Sequence, residues 1–166
     1  MNPVVTVETS FGNFDVELYA DKAPVTVKNF LAYAGDKFYD GTIFHRVIND
    51  FMIQGGGFNL EGRQKPTKPP IKNESGNGAK NVNYAIAMAR TNDLHSATSQ
   101  FYINVQDNGF LDDGQYCAFG MVIGGRNVVD KIKAVPVNKP GKLSEAQPVT
   151  PVVIRSVQAK AAGPQA

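Results

Sequence analysis

The stretch Phe44-His45-Arg46-Val47-Ile48-Asn49-Asp50-Phe51-Met52-Ile53-Gln54-Gly55-Gly56 decides how this chain is read. Thr42 to Val47 and Phe51 to Gln54 are expected to be short strands. Strand alternation places Phe44, Arg46 and Ile48 on one face and turns His45 to the other. An arginine flanked by apolar side chains has to meet a partner or a groove, because a lone guanidinium is costly to bury. On Arg46 alone, a structural salt bridge is the simpler reading. Phe51 and Met52 alone would be core residues, and Gln54 an ordinary strand amide. Half a chain further on, Ser99-Gln100-Phe101-Tyr102-Ile103-Asn104 adds a second amide and more apolar side chains. The combination is equipment for gripping an apolar peptide segment while hydrogen-bonding its backbone.

Outward from this stretch, Val5, Val7, Phe14, Val16 and Leu18 alternate with polar residues about Ser10-Phe11-Gly12-Asn13, the pattern of a β-hairpin. Asp21 to Lys37 carries Val27, Phe30, Leu31 and Ala34 at helical spacing, with Pro24 near its start and Gly35 near its end. Tyr84 to Ala89, Gln100 to Val105 and Ala118 to Ile123 read as further strands. Val128, Val129 and Ile132 indicate a second, shorter helix after Gly125. Pro151 to Val157 reads as a last strand, placed to pair with the first. Phe58 to Lys80 is aperiodic and rich in Gly, Pro, Asn and Lys, and a loop that long is usually functional or mobile. Many strands with two helices argue for a β-barrel or sandwich with capping helices. A domain over 1–158 and a frayed tail over 159–166 are expected.

The 166 residues suit one domain, and 42% apolar with 19% charged residues is ordinary for a globular protein. A net charge of +2 and scattered lysines give little support to a nucleic-acid or membrane role. No apolar run approaches transmembrane length. No signal peptide is visible, so the cytoplasm is the expected location. Cys117 is alone, in an apolar setting that suggests a buried thiol.

Several chemistries fall away. Ser96 and Ser99 lie near His95 without a nucleophile elbow, and His95 is expected on a solvated loop. His45 is expected to be a hydrogen-bonded histidine inside the barrel. Two histidines and one cysteine make zinc improbable. Gly55-Gly56-Gly57 lacks the Gly-Lys-Ser/Thr of a phosphate loop, and close backbone approach or positive φ explains it. Asp112-Asp113-Gly114 is a turn, with the rest of a calcium loop missing.

Phe44-His45-Arg46-Val47-Ile48 followed by Phe51-Met52-Ile53-Gln54-Gly55-Gly56 closely resembles the cyclophilin signature. Met88-Ala89-Arg90 with Ser99-Gln100-Phe101-Tyr102-Ile103 resembles the second cyclophilin segment. Phe110-Leu111-Asp112, Tyr116 and Phe119-Gly120 resemble the third. The likeness runs from the first hairpin to Val157 and is greatest to short bacterial cytoplasmic cyclophilins. It implies a mainly β fold: a closed eight-stranded antiparallel β-barrel capped by two α-helices, with the groove on its outer face. It implies peptidyl-prolyl cis-trans isomerase activity without cofactor or metal, on proline-containing peptides and folding proteins, by a monomer.

Position by position, the resemblance makes Arg46 the catalytic arginine. Phe51, Met52, Tyr102 and Leu111 would line the proline pocket, with Phe110 on its rim. Gln54 and the backbone near Ala89 and Arg90 would hold the peptide, Gln100 would sit beside Arg46, and Tyr116 would complete the groove. Phe110 stands where many eukaryotic members have tryptophan, Tyr116 where they have histidine, and Arg90-Thr91 where they have asparagine and alanine. The lost indole N–H implies weak cyclosporin binding. A non-catalytic proline-binding module is the main rival, and it has no need of the arginine. An RNA-binding barrel would need a basic face interleaved with exposed aromatics.

Overall fold

The computed structural model of the protein describes residues 2–137 and 146–160. In chain order the elements are β1 (Val4–Thr9), β2 (Gly12–Leu18), α1 (Pro24–Gly35), β3 (Thr42–Ile48), β4 (Met52–Asn59), β5 (Ala85–Met88), β6 (Phe101–Asn104), α2 (Gly109–Asp113), β7 (Ala118–Gly124), α3 (Arg126–Lys133) and β8 (Val153–Ala159). The strands close into an antiparallel barrel in the order β1-β2-β7-β5-β6-β4-β3-β8. Closure runs through β8, which pairs with β1 from Val5↔Ala159 to Thr9↔Ile154 and with β3 at Thr42↔Ile154 and Ile43↔Val153. A closed barrel leaves no open sheet edge.

Two expectations need correction. A third helix, the five-residue α2, joins the two that periodicity indicates; so short a turn leaves no helical repeat to read. The last strand also runs further than its apolar residues. Ala159 pairs with Val5, and the Lys160 amide donates to the Val4 carbonyl at 2.7 Å. Of the expected tail, 161–166 lie outside the described residues.

The interior is filled from the strands' inward faces and from the helices. Phe30 of α1 stands 5.2 Å from Tyr39, 5.6 Å from Phe101 and 5.5 Å from Phe119, centroid to centroid. Phe44 meets the Phe101 ring edge-on at 6.0 Å. Val129 and Ile132 of α3 reach the same core and are fully buried. The interior is a packed aromatic core, so a ligand has to be met outside it.

β5 and β6 are buried on both faces. Ile86, Met88, Phe101 and Ile103 point into the barrel. Ala87 and Tyr102 point outward, into a smaller apolar cluster with Met52, Leu111 and Ala118. Beside that cluster lies a buried amide network. Asn81 accepts at Oδ1 from the Tyr102 hydroxyl (2.8 Å) and from Asn104 Nδ2 (3.1 Å). Its own Nδ2 donates to Asp112 Oδ1 (2.9 Å) and to the Tyr116 carbonyl (3.1 Å). Asn108 Nδ2 donates to Asn104 Oδ1 (2.7 Å) and to the Phe51 carbonyl (2.9 Å). Three side-chain amides thus tie α2, β6 and the β3–β4 turn together on the barrel's outer surface.

The long 60–80 segment has little regular structure, yet it is anchored. α1 opens on Pro24, and no side chain at its N-cap, Ala23, bonds to it. Glu74 caps it from this segment instead: its carboxylate accepts from the Val25 and Thr26 amides (3.2 and 2.7 Å) and the Thr26 hydroxyl (2.7 Å). A carboxylate at a helix N-terminus satisfies orphan amides and meets the positive end of the helix dipole. The Lys68 amide donates to the Tyr33 hydroxyl at 2.9 Å, and its ammonium pairs with Asp36 at 2.7 Å.

These contacts set the expected cost of two substitutions. Glu74→Ala should lower unfolding free energy by about 1–2 kcal/mol, the scale of a lost helix cap, read by urea titration. Asn81→Ala leaves a buried tyrosine hydroxyl and a buried amide without their acceptor, and should remove about 2–4 kcal/mol. Amide exchange in α2 should quicken more in Asn81→Ala than in Glu74→Ala.

Candidate active site

The groove begins at an irregularity in β3. Its pairing with β4 passes from Phe44↔Gly55 to Arg46↔Gln54, so His45 is an extra residue. This bulge breaks the expected alternation. Phe44 is fully buried in the barrel interior, whereas Arg46 faces the outer groove, with Ile48 packed on the outer cluster. One inserted residue shifts the side-chain phase and re-aims the side chains beyond it. His45 is buried against the edge of the Phe58 ring, 4.7 Å between centroids. Burial, and then the charge of Arg46, depress its pKa to about 4. At neutral pH the imidazole is uncharged, and Arg46 is the cation of this strand.

Arg46 makes no ion pair or hydrogen bond through its guanidinium among the described residues. The salt-bridge reading of this residue therefore has no partner to rest on. Across the strand pair, Gln54 Nε2 donates to Gln100 Oε1 at 2.9 Å. That bond orients both amides, and Gln54 lines the same groove as Arg46.

A groove of about 220 Å³ lies on the outer face of β4, β5 and β6. Arg46, Phe51, Met52, Gln54, Ala89, Arg90, Tyr102, Leu111 and Tyr116 line it. Its floor is the outer apolar cluster, where Met52, Tyr102 and Leu111 are 2%, 4% and 8% exposed. α2 supplies Leu111 as one wall. Burial raises the Tyr102 phenol well above its ordinary pKa, so the hydroxyl stays protonated and donates to Asn81. Two expected site residues stand beside the groove. Gln100 lines an adjoining recess of about 160 Å³. Phe110 is 60% exposed and stacks on Phe51 at 5.7 Å and 24°, extending the rim.

Arg90 stands between the two depressions and lines both. Its guanidinium lies 4.5 Å above the Tyr116 ring and donates to the carbonyls of Thr91 (2.9 Å) and Gly114 (2.8 Å).

Asn81 and Asn108 have no place in the sequence reading and Asn104 only ends a quoted stretch, yet all three hold the groove's walls. Asn104 carried a readable signal: an amide ending the run Phe101-Tyr102-Ile103 must find partners if buried. Asn81 lies in an aperiodic stretch and carried none. Cys117 is buried, and burial raises its pKa above the ordinary thiol value, as suits an inert group. Among the described residues, no group of three or more His, Cys, Asp or Glu could hold a metal ion, and no helix is long and apolar enough to cross a membrane. The groove offers fixed donors above an apolar floor, without a carboxylate pair or an activated nucleophile among its lining residues.

Residues 4–159 match the family model described as cyclophilin type peptidyl-prolyl cis-trans isomerase/CLD. The chain is 52% identical over 163 residues to a peptidyl-prolyl cis-trans isomerase of Acinetobacter baylyi, covering 96% of this chain and 86% of that protein. It is 52% identical over 161 residues to peptidyl-prolyl cis-trans isomerase B of Escherichia coli, covering 93% and 98%. Among solved structures, a Cryptosporidium parvum cyclophilin type isomerase superposes with a TM-score of 0.83 at 25% identity, covering 98% of this chain and 100% of that one. A second structure of that protein, in the presence of the dipeptide Ala-Pro, gives 0.82 at 25% identity over 96% and 99%. A closed barrel with a groove on its outer face, matched along nearly its whole length, settles the family: this chain belongs to the cyclophilin-type peptidyl-prolyl cis-trans isomerases.

Proposed function

We propose that this isomerase turns Xaa-Pro bonds in the outer groove, with Arg46 as the catalytic residue. The observation that carries the proposal is the Arg46 guanidinium: a cation with no protein partner among the described residues, at the edge of an apolar floor. Amide rotation faces a barrier of about 18–20 kcal/mol, and an uncatalysed Xaa-Pro bond takes tens to hundreds of seconds to turn. Reaching milliseconds needs a factor of about 10⁴, roughly 5.5 kcal/mol of differential stabilisation. No bond breaks, so neither nucleophile nor general base is required.

In the twisted transition state the amide loses resonance and the prolyl nitrogen becomes a pyramidal acceptor. A guanidinium placed there binds the twisted form better than either planar isomer. Phe51, Met52, Tyr102 and Leu111 hold the proline ring while the preceding carbonyl swings. Gln54 and the backbone near Ala89 and Arg90 hold the peptide, Gln100 keeps Gln54 in place, and Phe110 and Tyr116 flank the groove. Apolar surroundings strengthen each hydrogen bond to the twisted amide. The Ala-Pro dipeptide present with the Cryptosporidium protein supports a proline-sized ligand class for this groove. The proposal extends to a cytoplasmic monomer acting on proline-containing and folding chains, over a single domain that includes the last strand to Ala159.

Arg46→Ala should lower kcat/KM on Ala-Pro peptides by more than about tenfold, or 1.4 kcal/mol, with unchanged circular dichroism and Tm. Arg46→Lys should restore activity incompletely, because an ammonium lacks the planar fork. Exchange NMR and thermal melts on one preparation decide this: a large Tm loss with activity retained would make Arg46 structural. Cyclosporin should bind weakly, since exposed Phe110 offers an apolar face without a donor. Phe110→Trp should tighten it by about 0.5–1.5 kcal/mol, one net hydrogen bond, with little change in peptide turnover, as read by titration calorimetry.

A further inference from the structure

The groove continues beyond the proline floor. Gln54, Ala89 and Arg90 line both the main groove and the adjoining recess, which Gln64, Thr91, Ser96, Thr98 and Gln100 complete. The lining residues of the two depressions include two cations, Arg46 and Arg90, and no carboxylate. We infer that Arg90 makes this isomerase selective for substrates carrying a carboxylate side chain in the two residues before the proline.

The inference rests on the proposed role of Arg46 and on three features of Arg90. First, its charge is not neutralised. Its guanidinium donates to the neutral carbonyls of Thr91 (2.9 Å) and Gly114 (2.8 Å), and it forms no ion pair among the described residues. Second, it is held in place. The two carbonyls and the Tyr116 ring at 4.5 Å fix the guanidinium, so little rotamer freedom is left to lose when an anion arrives. Third, it lies on the path of the incoming chain. With the prolyl nitrogen facing Arg46, the preceding residue lies beside Gln54, which pairs with Arg46 across β3 and β4. A chain continuing from there toward the recess meets Ala89 and Arg90, which line both depressions. Of the two carboxylates of the neighbouring helix, Asp112 accepts from the Asn81 amide and side chain, and neither Asp112 nor Asp113 forms an ion pair with Arg90 among the described residues. A fixed, unneutralised cation beside a bound peptide favours an anionic side chain, by the modest amount an exposed pair provides.

The test is exchange NMR on capped peptides Ala-Xaa-Pro-Phe and Xaa-Ala-Pro-Phe, with Xaa Glu, Gln, Ala or Lys. Free proline isomerisation rates are subtracted for each. At low ionic strength, kcat/KM for Glu should exceed that for Gln by about two- to fivefold in at least one series, with Lys poorest. The advantage should shrink at 0.5–1 M salt, where exposed charges are screened (Debye length about 3 Å at 1 M). Arg90→Gln should bring the Glu/Gln ratio to near one, and Arg90→Glu should invert the Glu/Lys order. The ratio is read within each protein, so it remains meaningful if absolute activity falls. Equal rates for Glu and Gln in wild type, or a Glu preference surviving Arg90→Gln, would overturn the inference. Turnover of the Ala peptide by wild type, and its dependence on Arg46, tests the underlying catalytic reading separately.

Discussion

At Gly55, Gly56 and Gly57 the backbone of β4 runs so close to its neighbours that three different parts of the molecule depend on the missing side chains. A Cβ on Gly55 would stand 2.7 Å from the Ile43 carbonyl oxygen, against the paired strand β3. One on Gly56, where φ is +89°, would meet the Phe101 and Tyr39 rings at 2.8 and 2.9 Å, inside the aromatic core. One on Gly57 would lie 2.5 Å from Gln100 Cγ, the side chain that holds Gln54. Sheet pairing, core packing and groove geometry therefore share one short length of chain. The same length of chain faces the two β3–β4 register shifts, between Thr42 and Phe44 and between Phe44 and Arg46. The second shift turns Arg46 outward.

A barrel filled with rings cannot also hold a ligand, so function moves to the outer wall. That wall is a second packing problem. β5 and β6 present apolar or amide side chains on both faces, and the outer set needs a cover. α2 supplies it with Leu111, and the amide network of Asn81, Asn104 and Asn108 anchors that cover to β6 and to the turn bearing Phe51. A buried network whose members all find partners is rigid as well as stable, whereas a half-satisfied one is neither. The groove is thus a gap left in a well-braced cover. Such a site suits a reaction whose whole barrier is a rotation: the walls hold still while one bond turns.

The electrostatics obey the same division. Burial and the neighbouring charge of Arg46 keep His45 neutral, and burial keeps the Tyr102 phenol protonated, so neither titrates near neutral pH. The charged side chains that line the groove are the guanidinium groups of Arg46 and Arg90. Catalysis by a fixed donor, without proton transfer, is consistent with that inventory.

The strands and the two longer helices were legible in the sequence, because alternation in Val5-Val7 and Phe14-Val16-Leu18 and helical spacing in Val27-Phe30-Leu31 are local consequences of having one face in a core. The groove's residue types were legible too, since a cation and two amides among apolar residues are unusual in strands. Three things were decided only by the tertiary structure. The phase of Phe44 against Arg46 depends on a bulge in the β3–β4 pairing, which no count along one strand reveals. The cap of α1 comes from Glu74, 48 residues away from Thr26, through a segment without periodicity. The bracing of the groove comes from three asparagines whose importance lies in being buried together. Local pattern reports which face of an element is apolar; which polar groups meet, and which arginine is left without a partner, depends on chain closure bringing distant segments to one place.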